Sequence, residues 1–203
     1  MPKPTASTAF KKPDSPPVPL CPKCKQAFVR RVLPKKGLEH VLWHLFLYPF
    51  RCQLCMHRFL ALRFGQRYSI QLDDMREYER LRVSLPVTFS GGSAKGGGVT
   101  VDITMKGCWI DSPQRIMISK GMTLQLKIQE PGKGLPIEIE SAMVRWALGR
   151  GFGIEFVSVK PNQLDRLRAL VKQTWERSLR EDPEERTATV IPLKKKQRAN
   201  ART

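Results

Sequence analysis

The sequence predicts a mainly β protein. Its main body is an antiparallel six-stranded barrel with a C-terminal helix, preceded by a small cysteine-bearing module with an inserted helix. Three observations lead there. Two Cys-x-x-Cys knuckles, Cys21–Cys24 and Cys52–Cys55, sit near the N-terminus. Between residues 82 and 159, short apolar segments alternate with glycine and proline turns. Beyond Pro161, apolar residues switch to a helical period.

Composition bounds the rest. The 203 residues suffice for one ordinary domain plus a small one, and 41% hydrophobic content supports a core. The formal net charge is +18, from 36 Lys and Arg against 18 Asp and Glu. That excess points to anionic partners, whether nucleic acid, acidic membrane surface or phosphorylated ligand. Residues 1–20 mix Pro2, Pro4, Pro13, Pro16, Pro17 and Pro19 with small polar residues and lysines, and are expected to be disordered. They hold no apolar signal-peptide core, and no run reaches the roughly 18 apolar residues needed to span a bilayer. The expected setting is the bacterial cytoplasm, a reducing compartment in which cysteines are metal ligands or free thiols.

The first module is expected over residues 21–66. The two-residue spacer lets both sulfurs of a knuckle face one ion, so Cys21, Cys24, Cys52 and Cys55 form a four-thiolate site for one structural zinc. Strand-like pieces, Phe28–Leu33 and Arg58–Arg63, flank the knuckles, and the whole resembles a zinc ribbon. Leu38, Val41, Leu42 and Leu45 recur at helical spacing and account for the long insert between knuckles. That helix is expected to run toward residue 48 and to pack on the ribbon and the next domain. The other reading is an interfacial helix at a membrane surface. Four thiolates complete the site without His40, His44 or His57.

The second domain is expected over residues 74–180. Candidate strands are 82–90, 98–104, 107–111, 123–130, 137–147 and 151–159, with a glycine-rich turn over 91–98. Alternation in Thr123–Gln129 places Leu124, Leu126 and Ile128 inside. Cys108 is expected to be a buried thiol within a strand. Asn162 suits an N-cap, and Leu164, Leu167, Val171, Trp175 and Leu179 give the following helix one apolar face. Residues 181–203 are expected to be a disordered charged tail.

Two motifs carry the chemistry. Arg76 and Arg80 are four apart just before the first barrel strand, and Asp102-x-Thr104-x-x-Gly107 follows one hairpin later. Paired guanidinium groups clamp phosphates and stack on base planes. A carboxylate accepts from neighbouring N–H donors such as guanine's N1–H and N2–H₂, a hydroxyl adds a donor or acceptor, and a glycine allows a tight turn beside a ligand. These motifs, with the closing Gly151-Phe-Gly-Ile-Glu-Phe156 segment, resemble those of the PilZ domain, the bacterial receptor module for cyclic di-GMP. Thr104 stands where that family usually has Ser, and Met75 where many members have a further Arg. The resemblance implies cyclic di-GMP as ligand at Arg76, Arg80, Asp102, Thr104 and Gly107, and a signalling receptor or adaptor; the fused ribbon is expected to contact a protein partner. No nucleophile–base pair, paired-carboxylate motif or cofactor loop points to an enzyme. The alternative reading is a nucleic-acid-binding zinc-ribbon protein whose barrel is structural.

Overall fold

The computed structural model describes residues 18–35, 37–64, 76–113, 117–132 and 134–180. The expectations for the N-terminal segment up to residue 17, for residues 65–75 (Met75 among them) and for the tail from 181 lie outside these residues. Two compact units emerge, residues 1–77 and 78–203, and the division falls inside the Arg76–Arg80 motif.

In the first unit, β1 (Val29–Arg31), β2 (Leu47–Cys52) and β3 (Arg58–Leu62) form an antiparallel sheet with β2 in the middle. Helix α1 (Leu38–His44) connects β1 to β2. It is shorter than the sequence predicts. Phe46 takes a left-handed conformation, φ 61°, and turns the apolar run from Leu47 into a central strand. A short apolar run does not by itself distinguish helix from strand, and here pairing with both neighbours decides. The core comprises Phe28, Val32, Tyr48, Phe50 and Leu54 with Cys21 and Cys52. Trp43 meets Tyr48 edge-on at 4.8 Å between centroids, and the Arg31 guanidinium lies 5.7 Å from the Trp43 ring. Arg58 anchors α1 through Glu39, with Nη2–Oε2 at 2.6 Å, and its hydrogen bonds hold the Glu39 carboxyl below the ordinary range.

The apolar face of α1 does not pack on the described residues of its own module. None of its residues is buried, and Leu38, Val41 and Leu45 are exposed. Periodicity identifies an apolar face but not what lies against it.

In the second unit, β5 (Pro86–Gly91), β6 (Ala94–Ile103), β7 (Gly107–Asp111), β8 (Thr123–Ile128), β9 (Ile137–Leu148) and β10 (Gly151–Ser158) close an antiparallel barrel in the order β6-β5-β8-β9-β10-β7, with β7 returning to β6. The two-residue strand β4 (Leu81–Arg82) pairs with the far end of β6. The predicted strand 82–90 is therefore two pieces, and residues 83–85 pass between them. Leu124, Leu126 and Ile128 all point into the core, as their alternation predicts. So does Cys108, whose thiol is pushed up by burial and further by the nearby Asp102 charge.

The glycines do other work than predicted. Only Gly92 and Ser93 turn between β5 and β6, while Gly96, Gly97 and Gly98 are strand residues paired with Phe89, Thr88 and Val87. A Cβ at Gly98 would lie 2.4 Å from the Asp111 carbonyl oxygen, so glycine admits the close approach of β7.

Helix α2 (Pro161–Arg180) packs against β4 and β9 through Leu167, Leu170, Val171 and Thr174. It begins two residues earlier than an N-cap at Asn162 implies. Pro161 occupies the first helical turn, where a missing N–H costs nothing, so Asn162 lies inside the helix rather than capping it. Leu179, predicted on the apolar face, is exposed beyond the barrel contact.

Candidate functional site

Asp102 is the centre of the site. It lies near the end of β6 and is mostly buried, and both carboxylate oxygens are occupied. Oδ1 accepts from the Trp109 backbone N–H at 3.1 Å, and Oδ2 faces Arg80 Nη1 at 3.2 Å. Arg80 reaches it because β4 begins at the next residue and pairs Arg82 with Asp102. The Arg80 side chain is 43% exposed. Such a pair is weak, at most about 1 kcal/mol, and a competing anion can open it.

Thr104 and Gly107 build the turn that follows. The Thr104 hydroxyl accepts from the Lys106 and Gly107 backbone N–H groups, both at 3.0 Å, and donates to the Gly107 carbonyl at 3.1 Å. That exhausts a hydroxyl's capacity, so Thr104 shapes the turn rather than offering a free hydrogen bond. Gly107 is buried, and a Cβ there would sit 2.1 Å from the Ile154 carbonyl oxygen. Its glycine is required by the neighbouring strand β10 rather than by a left-handed turn.

Arg76 is exposed and belongs to the first unit. The residue after it is tied to the second knuckle. The buried Gln53 side chain donates to the Glu77 carbonyl at 3.1 Å, and Arg51 pairs with the Glu77 carboxylate at 3.2 Å.

Strand register adds two residues that the sequence motifs do not mark. Asp102 pairs with Trp109, Trp109 with Gly153, and Gly153 with Trp146, so one row crosses β6, β7, β10 and β9. The missing side chain at Gly153 leaves room for an indole, since a Cβ there would be 2.1 Å from Trp146 Nε1. At Gly151 it would be 2.6 Å from Trp109 Nε1. Neither glycine has a left-handed φ. The two indoles meet at 5.7 Å between centroids, tilted by 59°, and are half-buried. The buried Trp109 Nε1–H has no hydrogen-bond partner among the described residues. Beside the carboxylate and the guanidinium there is thus an aromatic surface able to stack a flat base.

The four cysteines of the knuckles come together in the first unit. Their sulfurs lie within 4.8 Å of one another, with Cys21–Cys55 and Cys24–Cys52 each at 3.5 Å. Tetrahedral coordination at a Zn–S distance near 2.3 Å sets sulfurs about 3.8 Å apart, so this donor set fits one ion. Burial acts on these thiols unequally. It pushes Cys52 and Cys55 up, whereas at Cys21 the Cys24 and Lys23 backbone N–H groups outweigh it and bring the thiol below its usual value. A 660 Å³ groove on the outside of the barrel holds none of these residues; its Lys127 and Lys160 pair with Glu138 and Glu140.

Residues 74–173 match the family model described as the PilZ domain. No curated protein matches the chain. Among solved structures it is similar to the PilZ domain of CeSA from a cellulose-synthesizing bacterium, at 18% identity over 47% of this chain and 96% of that one, with a TM-score of 0.40. It is similar to the inhibitor of motility MotI/DgrA of Bacillus subtilis, at 17% identity over 66% and 69%, TM-score 0.46. It is also similar to Escherichia coli YcgR, solved in complex with c-di-GMP, at 14% identity over 77% of both chains, TM-score 0.39.

Proposed function

Residues 74–173 of this chain are a PilZ domain, and from that premise we propose that the protein is a receptor for cyclic di-GMP that relays ligand binding to its cysteine module. The observation that carries this reading is the placement of Arg80 3.2 Å from Asp102 on the barrel surface, in line with Trp109 and Trp146. The ligand's phosphates draw Arg80 off Asp102, which is inexpensive because the exposed pair is weak. Oδ2 then accepts from a guanine edge, while the Trp109 N–H keeps the carboxylate aimed through Oδ1. Arg76 joins Arg80 on the phosphates, Thr104 and Gly107 hold the turn in shape, and an indole stacks on a base.

The relay runs through Glu77. It is the neighbour of Arg76, and its carbonyl and carboxylate are held by Gln53 and Arg51 at the second knuckle. Pulling Arg76 onto a phosphate works on those contacts and so on the loop carrying Cys52 and Cys55. The cysteines hold one structural zinc, which clamps that loop; iron at the same thiolates is the less favoured occupant. The module's output is contact with a protein partner, in a bacterial cytoplasm.

Calorimetric titration with cyclic di-GMP, with GTP as control, tests the reading. Saturable binding is expected, weakened by about 2–5 kcal/mol in Arg80→Ala and in Arg76→Ala, because a phosphate then loses its charged partner. Unchanged affinity in both variants, or no binding by folded and metal-loaded protein, overturns it. Trp109→Ala is expected to cost a further, separate amount of about 1–3 kcal/mol, the usual worth of base stacking, with the barrel's thermal transition checked in parallel.

A further inference from the structure

Helix α1 presents an apolar stripe that no described residue of its own unit covers. Leu38, Val41 and Leu45, spaced to share one face, are 73%, 59% and 58% exposed. The stripe runs into the end of the β2–β3 hairpin. Leu47 pairs with Leu62, the Arg63 N–H donates to the Phe46 carbonyl at 2.8 Å, and the Phe46 and Phe64 rings lie 5.9 Å apart. Leu62 and Phe64 are 51% and 74% exposed. Single exposed leucines are ordinary on a protein surface, but this is one continuous apolar tip at the end of a small module.

The charge of that module is equally one-sided. Residues 18–64 contain nine Lys and Arg and a single carboxylate, Glu39, which Arg58 already neutralises. Even with four thiolates around a divalent ion, worth two negative charges, the surplus stays strongly positive. We propose that the tip formed by α1 and the β2–β3 end inserts into the interface of an anionic phospholipid bilayer, with the module's cations on the headgroups. A lipid surface uses both properties at once, since aliphatic and aromatic side chains enter the acyl boundary while Lys and Arg meet the phosphates. Nucleic acid would use the cations and leave the aliphatic stripe in water. A second copy would cover the stripe but bring two cationic modules together. The proposal uses no residue of the ligand site and stands or falls separately from it.

The test is flotation of the full metal-loaded chain with phosphatidylcholine vesicles and with vesicles containing roughly one-third phosphatidylglycerol, each at low and high salt. The expected result is binding to the anionic vesicles alone, weakened by salt. It should fall roughly tenfold or more in the double variant Leu45→Asp/Phe64→Asp, because two apolar side chains leave the acyl boundary. Both positions are exposed, so the variant has no core to disturb; metal content and circular dichroism verify this. Absence of binding to anionic vesicles overturns the proposal. So does equal binding by the double variant, which would reduce the effect to charge. Oligomerisation that the double variant dissolves would assign the stripe to a second copy and overturn it too. Capture by duplex DNA at the vesicles' expense, insensitive to the double variant, would give the cations to nucleic acid with the same consequence.

Discussion

Removing the metal from Cys21, Cys24, Cys52 and Cys55 is expected to unfold the first module and leave the barrel folded. The core of that module is small. Among the described residues its buried apolar side chains besides the cysteines are Phe28, Val32, Tyr48, Pro49, Phe50 and Leu54, and no residue of α1 is buried. A core of that size offsets little of the entropy of ordering the chain, and such modules rely on a metal or a disulfide. The cysteines are free thiols, so the metal is the available staple. Structural zinc in small domains contributes apparent binding energies of about 10–16 kcal/mol, far above the net stability of any such fold. Calorimetry of the loaded protein should show two transitions. Chelation should abolish the one belonging to the module, and Cys52→Ser should reproduce that loss without chelator. A module transition that survives chelation would mean that the thiols are not its staple. If Glu77 is the relay, chelation also alters cyclic di-GMP affinity, because Gln53 and Arg51 lose the loop that positions them.

What the sequence could reveal depended on the range of the interaction. The alternation of Thr123–Ile128 marks an inner and an outer face because a strand's period is two, and the knuckles are legible because their spacing is itself a coordination constraint. Arg80 and Asp102 could be paired in advance only through a motif resemblance. The row from Asp102 through Trp109 and Gly153 to Trp146 was invisible, because it is set by register between strands far apart in the chain. The signal that could have found it was there: two tryptophans in barrel strands with Gly151 and Gly153 in the strand that closes against both. Gly96–Gly98 misled for the opposite reason. Their composition reads as a turn, while the tertiary approach of β7 makes them strand. The stripe on α1 is apolar, as its period indicates, but its own ribbon does not cover it, since periodicity carries no information about the neighbour.

Arg166→Ala is expected to destabilise the barrel unit by about 3–5 kcal/mol, the cost of removing one partner of a buried ion pair. Glu130 is almost wholly buried, its side chain 3% exposed, and the Arg166 guanidinium lies against it with Nε–Oε1 at 2.9 Å. The same guanidinium donates to the Pro136 and Leu135 carbonyls at 2.9 and 2.6 Å, so a single side chain of α2 fastens the approach to β9. For a domain of this size the loss corresponds to a fall in Tm of very roughly 15–30 °C. The double variant Glu130→Leu/Arg166→Met separates two explanations. If the cost is the buried carboxylate's loss of its arginine, removing both side chains recovers most of the stability; if it is the anchoring of α2 to the loop carbonyls, the double variant stays as unstable as the single one. The effect should reach the ligand site as well. Helix α2 packs on β4, whose Leu81 is buried and whose first residue directly follows Arg80. Loosening α2 frees β4 from β6 and with it the 3.2 Å approach of Arg80 to Asp102. Below its transition temperature, Arg166→Ala should therefore bind cyclic di-GMP more weakly than the parent chain, and the double variant should restore affinity together with stability. Affinity that stays low while stability recovers would separate the helix from the site.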